Sequence, residues 1–572
     1  MEHLTRSIAK ELQQSLSLGN VSPDTTTADI IIDKLIKWKV EVVFSLVGDG
    51  INPIYESLRK RQDKIRLITV RHEEAAAFMA SGYAKCTGKL SVCLATTGPG
   101  AIHLLNGLYD AAMEGIPVLA ITGVVYHDLQ GTQFIQEVDT VSMLRDITKY
   151  NQMITGPLHA QTVVDLACRS ALMSPGVAHI AVPTDVQQMK LSEDKRSKKS
   201  AELTGSSTFL PRIDRPVETD LNRAAIMLNN SNRIMILAGK GALSAGMEVK
   251  ALAEKLGAPV AKALLGKAVL PDNSPCTTGG IGRLGTLPSK QMMDECDTLL
   301  ILGSTMPYLE YYPKPGQARA IQVDRDPCRL GLRYPIEVGL HGDVKATLEA
   351  LLPLLSYQGD RSFLRLAQER MENWRKQMQQ LETDEDRPIR PPFLVAEISR
   401  QLSEDAVIAI DTGAHTVFTA RHLQIRPRQQ VIVCGNLASM GPGLPYAIAA
   451  QLAYPGRQCV ALVGDGGFTM LMGELATAVL YNLPVKIIVF KNNQLAMDRF
   501  EQEEIGNKDF GINLHPIDFV KIAEACGAEG YRCTEPAELS NVLRKAFNSS
   551  HAAVIEVEVD PDTPPDPPEK FA

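Results

Sequence analysis

Short apolar runs bounded by glycine, proline and acidic residues recur along this chain, and they alternate with longer stretches in which apolar residues return every three or four positions. A continuous run of four to eight Val, Ile and Leu predicts a strand buried on both faces, and the three-to-four spacing predicts a helix with one apolar side. Their alternation is the βαβ rhythm of doubly wound parallel sheets covered by helices. It occurs three times. VEVVFSLV, IRLITV, LSVCLAT, PVLAITG and AHIAVP mark a first region, and RIMILAG, APVAKAL, TLLILGS and ARAIQVD a second. AVIAIDT, QVIVCGN, CVALVGDG, VKIIVFKNN and AVIEVEV mark a third.

Polar, charged segments separate the regions. The expected organisation is an N-terminal tail (1–24), a first α/β domain (25–190), a linker (191–215) and a second domain (216–356). A charged linker of helical composition (357–387), a third domain (388–560) and a proline-rich tail (561–572) follow. A chain of 572 residues is too long for one core, which agrees with three domains. The net charge of −7 gives no electrostatic reason to expect nucleic acid or an acidic membrane surface. No apolar run reaches a membrane span, and the first twenty residues have neither the apolar core of a secretory signal nor the acid-poor make-up of a transit peptide. Ten cysteines lie scattered with no CxxC pair, the usage of reduced, buried thiols. A cytoplasmic protein is expected.

The word LVGDG occurs at residues 46–50 and again at 462–466. The second copy ends the strand CVALV. A helical stretch and the strand VKIIVF follow, and the latter ends in Lys491-Asn492-Asn493. A right-handed crossover brings both strand ends to one edge, so Asp465 and Asn492 face one crevice. A carboxylate, an amide oxygen and backbone carbonyls are hard ligands suited to Mg²⁺ shared with phosphates, and Gly466 and Gly467 let phosphate oxygens approach backbone N–H groups. The first copy also ends a strand, but the position 27 residues past Asp49 is Ala76, which has no oxygen to offer. It reads as the same turn in a sister domain, without a metal.

The spacing of GDG and NN within strand–helix–strand resembles the diphosphate–magnesium motif of thiamine diphosphate (ThDP) enzymes. By that resemblance Asp465, the Asn492 side chain and the Gln494 carbonyl hold Mg²⁺, and the three domains are pyrimidine-binding, central flavin- or nucleotide-binding, and diphosphate-binding. RHEE (residues 71–74), after the strand IRLITV, resembles the family's glutamate motif. Glu73 would then hydrogen-bond the pyrimidine nitrogen and favour the tautomer that deprotonates the thiazolium. DTGAHT implicates Gly413 and His415 at the diphosphate, and ASMGPG makes Met440 the apolar wedge beneath the bent cofactor.

TTGPGAIHLLNGLYDA (residues 96–111), ELATAVLYNLPV and FEQEE look most like pyruvate oxidases, with acetolactate synthases close by. The resemblance implies that His103, Gln136 and Glu501 line the substrate pocket. LAGKGAL, TGGIGRLG, LILGS, IQVDRDP and HGDV resemble the FAD domain of the same group, implicating Gly239, Gly241, Gly282, Arg283, Gly303, Asp324 and Asp343. The implied activity is decarboxylation of a 2-oxo acid, pyruvate or a polar analogue, with oxidation of the enamine through FAD. A carboligase joining the enamine to a second carbonyl, with non-redox FAD, is the alternative. A non-catalytic relative is disfavoured by intact Glu73, Asp465 and Asn492. A homodimer or homotetramer with active sites between subunits is expected. Two positions depart from the family pattern: Ile135 stands where Phe is usual, and Asp498 where an aliphatic side chain faces the methyl group of pyruvate.

Overall fold

The computed structural model describes residues 22–194, 207 and 213–571. The described residues fall into two compact units, one within 1–80 and 89–210, the other within 81–88 and 211–572. Most of the expected tail 1–24 and of the linker 191–215 lies outside the described residues.

The smaller unit is built on six strands: β1 (Val42–Ser45), β2 (Arg66–Thr69), β3 (Ser91–Ala95), β4 (Val118–Val124), β5 (Thr148–Met153) and β6 (Val177–Pro183). All pair in parallel, in the order β2-β1-β3-β4-β6-β5. Helix α1 (Thr27–Lys37) starts at a capping box, in which Thr26 Oγ1 accepts the Asp29 N–H and the Asp29 carboxylate accepts the Thr26 N–H. Its Ile30, Ile31 and Leu35 join Val43, Val92 and Leu119 in one core, the packing that the three-to-four apolar spacing implies. Helix α2 (Glu73–Thr87) follows β2, with Glu73 and Glu74 in its first turn. The apolar run VEVVFSLV contributes only four residues to the sheet, because Val40 and Glu41 precede the ladder and Leu46 and Val47 have already left it, Val47 being 52% exposed.

The larger unit carries two sheets. The first comprises β7 (Ile234–Ala238), β8 (Val260–Lys262), β9 (Thr277–Gly280), β10 (Thr298–Leu302), β11 (Arg319–Asp324) and β12 (Val338–His341), in the order β12-β11-β10-β7-β8-β9. Counted within the sheet this is 3-2-1-4-5-6 read from its other edge, the dinucleotide-binding order. Helix α3 (Val344–Leu351) follows it, and the charged linker forms α4 (Ser362–Glu382), whose Phe363 and Ala367 pack on the same sheet. The last sheet holds β13 (Val407–Ile410), β14 (Gln430–Val433), β15 (Cys459–Gly464), β16 (Lys486–Lys491), β17 (Glu529–Cys533) and β18 (Ala553–Glu558), in the order β14-β13-β15-β16-β18-β17. Helices α5 (Ala414–His422), α6 (Asp465–Leu471) and α7 (Ala496–Glu504) follow β13, β15 and β16. The three parallel six-stranded sheets with flanking helices are the fold the apolar rhythm predicts.

A buried charge cluster joins these two sheets. Asp272 bonds Lys262 at 2.6 Å and Lys267 at 3.3 Å, and accepts the Ile425 N–H at 2.8 Å, while Lys267 also donates to the Ala420 carbonyl. Two lysine charges hold the Asp272 carboxyl low although burial alone would raise it, and burial lowers Lys262. The proline-rich tail ends in a short turn at Pro568–Phe571, where Phe571 meets the Trp374 ring edge-on at 5.4 Å.

Candidate active site

In each sheet the chain reverses its direction of travel beside the first strand, and loops that leave two adjacent strands there diverge to opposite faces. The crevice between them is where open α/β sheets take ligands. In the smaller unit the reversal lies between β1 and β3, in the next sheet between β7 and β10, and in the last between β13 and β15.

At the β13/β15 crevice, Asp465 is 5% exposed. Its Oδ1 accepts the Gly466 N–H at 3.0 Å, and its Oδ2 accepts the N–H groups of Asn492 and Asn493 at 3.2 and 2.6 Å. Burial raises its pKa against the pull of those three donors. The Asn492 side-chain oxygen takes the Gln494 N–H at 3.0 Å, which turns the chain so that Asp465, Asn492 and Gln494 line one cleft. Gly413, His415, Met440, Gly466, Gly467 and Asp498 line it as well. Met440 lies close over the helix start, its Cε 3.5 Å from where a Cβ on Gly466 would stand.

His415 occupies the crevice itself. A Cβ on Gly413 or on Gly464 would come within 3.1 or 3.3 Å of its Nδ1, so the ring is seated between the two strand ends. Burial lowers its pKa to about 4, leaving a neutral imidazole, and its buried Nε2 has no hydrogen-bond partner. An unpaired nitrogen in such a site costs roughly 1–3 kcal/mol until a ligand engages it. Asp411, which residue patterns did not single out, braces the crevice from below. It is 1% exposed, accepts N–H groups from Thr412, Gly441 and Gly443, and is raised by burial to about 6.

These residues fit a diphosphate and its cation. The buried carboxylate, amide oxygen and backbone carbonyl of Asp465, Asn492 and Gln494 are a hard oxygen set, and the unpaired His415 nitrogen shares their cleft.

In the smaller unit the loop after β3, Thr96–Gly100, gathers the other predicted residues. Glu73 Oε2 lies 2.9 Å from His103 Nδ1, and the His103 ring stacks on His72 with centroids 4.4 Å apart. Gln136 Oε1 accepts the Thr97 hydroxyl at 3.0 Å, and a Cβ on Gly98 would come within 2.7 Å of the Gln136 carbonyl. Gln136 itself adopts a left-handed φ of 62°. Glu73, His103 and Gln136 therefore surround one loop. Glu501 belongs to the larger unit, exposed on α7. Gly48 and Gly50 face the same loop: a Cβ on Gly48 would stand 2.4 Å from Thr96 Cβ, and the Gly50 N–H donates to Thr96 Oγ1 at 3.2 Å.

At the β7/β10 crevice, the Gly241 N–H donates to the Gly303 carbonyl at 3.0 Å, and a Cβ on Gly239 would meet that oxygen at 2.4 Å. The two strand ends touch so closely that only glycine fits, and Gly303 takes φ 57°. Asp324, at the end of β11, is raised by burial. Gly282 has φ 99°, and the neighbouring Arg283 pairs with Glu504 on α7 at 2.8 Å while its buried Nε has no partner. Asp343 caps α3 by accepting the Ala346 N–H at 3.1 Å.

Comparison with known proteins agrees with this geometry. Residues 25–143, 221–351 and 411–557 match, in turn, the N-terminal TPP binding domain, the central domain and the C-terminal TPP binding domain of thiamine pyrophosphate enzymes. The chain belongs to the thiamine pyrophosphate enzyme family, and its cofactor is thiamine diphosphate. A Bacillus subtilis protein described as thiamine pyrophosphate-containing, YdaP, is 37% identical over 94% of this chain and 92% of its own length. The pyruvate oxidase of Lactiplantibacillus plantarum is 32% identical over 93% and 88%. The acetolactate synthase isozyme 1 large subunit of Escherichia coli is 30% identical over 94% of each. No helix among the described residues is long and apolar enough to cross a membrane.

Proposed function

We propose that this enzyme decarboxylates a 2-oxo acid, pyruvate or a polar analogue, with ThDP and Mg²⁺, and delivers the electrons to FAD in the manner of a pyruvate oxidase. The observation that carries the ThDP site is the buried, unpaired His415 Nε2 in a cleft with Asp465 and Asn492. When bound, ThDP supplies the electron sink for the cleaved C–C bond and the flavin a two-electron acceptor. Asp465, the Asn492 oxygen and the Gln494 carbonyl hold the cation. Gly413, His415, Gly466 and Gly467 hold the diphosphate, and Met440 supports the cofactor. Glu73 holds the proton at the pyrimidine nitrogen, and its contact with His103 gives that proton a neighbour to pass to. His103, Gln136 and Glu501 line the substrate pocket.

The strand order of the second sheet and the glycine contact at its crevice support FAD there, with Gly239, Gly241, Gly303, Gly282 and Arg283 along the nucleotide. Asp324 meets its ribose, and Asp343 shapes the turn through the α3 cap. We place the enzyme in the cytoplasm as a homodimer or homotetramer with active sites between subunits. Purified enzyme should carry a flavin that bleaches anaerobically when the 2-oxo acid is added; a spectrum unchanged by pyruvate and by polar 2-oxo acids removes the oxidase reading.

The Escherichia coli acetolactate synthase subunit matches as much of the chain as the pyruvate oxidase does, which supports a second reading. In it the chain is a carboligase and the flavin is structural. A C–C coupled product formed without an electron acceptor selects it.

A further inference from the structure

Three carboxylates line the cleft of the last sheet: Asp465, Asp498 and Asp560. Two of them are engaged. Asp465 takes three backbone N–H groups, and Asp560 takes the Thr563 hydroxyl at 2.6 Å and the Arg390 guanidinium at 3.3 Å. Asp498, exposed in the first turn of α7, has no hydrogen-bond or ion-pair partner among the described residues. The cation next to it in sequence does not neutralise it, because Arg499 is bound to Gln494, Glu503 and Asp562 at 3.0, 3.1 and 2.9 Å.

Met440, Leu495, Ala496 and Met497 give the cleft that Asp498 lines an apolar share beside its polar residues. An occupant that fills this part of the cleft strips water from the carboxylate. A methyl group returns nothing for that loss, whereas a hydroxyl or ammonium replaces the lost water with a charge-assisted hydrogen bond. Asp498 thus adds to the cleft of Asp465 and Asn492 a carboxylate that no donor among the described residues satisfies.

We propose that Asp498 is a specificity residue that selects 2-oxo acids whose carbon chain ends in a hydrogen-bond donor over those that end in a methyl group. The inference rests on the 2-oxo acid reading above. It is tested with an isosteric pair, 3-hydroxypyruvate and 2-oxobutanoate, turned over by the holoenzyme. The matching pair of non-decarboxylating mimics, hydroxyacetylphosphonate and propionylphosphonate, is titrated calorimetrically into the same protein.

The hydroxyl member should be favoured roughly ten- to hundredfold in both kcat/KM and Kd, the range of a hydrogen bond to a charged group. Asp498→Val should reverse the preference, and Asp498→Asn, which keeps an acceptor without the charge, should retain part of it. Because the side chain is exposed, both variants are expected to fold, and thermal melts check this. Equal affinity for the two mimics, or an unchanged ratio in Asp498→Val, overturns the proposal while turnover of 2-oxo acids stands. Failure of every 2-oxo acid to react and of both mimics to bind overturns the underlying reading, and the inference with it.

Discussion

The first and last sheets of this protein have the same strand order: numbered from its own first strand, each reads 2-1-3-4-6-5. Their crevices nevertheless carry different chemistry. In the last sheet, carboxylate and amide oxygens end β15 and β16, and an unpaired imidazole follows β13. In the first, the corresponding ends of β3 and β4 carry a threonine–glycine loop and a plain strand end, and the carboxylate enters after β2 as Glu73. One topology carries two different crevices, and what differs is which strand end holds an acid.

The comparison corrects the expectation drawn from the repeated LVGDG. The copy at 46–50 follows strand one of its sheet, whereas the copy at 462–466 ends strand three of its own. The topological counterpart of Gly464-Asp465 is Thr96-Thr97, and the counterpart of Asp49 is Ala414, in the DTGAH loop. The two words are therefore not the same turn in sister domains. They coincide because both loops border a reversal point, where tight backbone approach selects glycine.

The difference can be broken experimentally, starting with the largest effect. Asp465→Ala should abolish Mg²⁺-dependent ThDP retention, weakening it by at least about a hundredfold, while Asp49→Ala leaves retention unchanged; equilibrium dialysis measures both. Glu73→Gln should lower kcat by about 10²–10⁴-fold, as loss of a proton-handling group does, with ThDP affinity within about twofold by the same dialysis. Comparable losses of kcat and of affinity would contradict the assigned role.

Gly48→Ala should destabilise the protein by roughly 1–3 kcal/mol through overpacking against Thr96. Gly456→Ala, with nothing within 4 Å of the new Cβ, should not, and denaturant melts compare them. The smallest effect is the pH dependence of the two sheets. His179, fully buried between Thr122 and Asn151, is lowered by burial to about 3. Between that value and its ordinary 6.5 the unfolded chain binds a proton that the folded chain does not, so stability falls as the pH drops through this window. The slope is at most about 1.4 kcal/mol per pH unit for one histidine. His415 adds the same sign between 6.5 and about 4. His179→Gln should flatten the decline in apoprotein Tm measured between pH 6.5 and 4.5.

The rhythm of apolar runs disclosed the three sheets because a parallel strand must be apolar on both faces. Asp465 and Asn492 were legible together because one crossover links them, so a distance of 27 positions becomes a shared edge. Glu73 was legible as an acid opening a helix just after a strand. What could not be read is tertiary. Strand order decides which loops border a crevice, and no local pattern encodes it. Asp411 looks like any turn aspartate until Gly441 and Gly443 close on it. The pairing of Arg283 with Glu504, 221 residues away in the chain, shows only in the fold. That Asp343 caps α3 shows only once the helix is seen to begin on it.

The Lys262–Asp272–Lys267 cluster bears on how this protein can be taken apart. Asp272 draws its donors from both sheets of the larger unit, since Ile425 belongs to the segment that leads from α5 to β14. Cutting the chain between the sheets takes the Ile425 N–H from Asp272 and the Ala420 carbonyl from Lys267, a penalty of roughly 1–3 kcal/mol for each buried charged group left short. The central and last sheets are thus poor exchange parts. A chimera that borrows the flavin-type sheet from a relative carries its own acid and lysines, and must also bring the stretch from α5 toward β14 that supplies the Ala420 carbonyl and the Ile425 N–H, or it leaves buried charges short of partners at the seam.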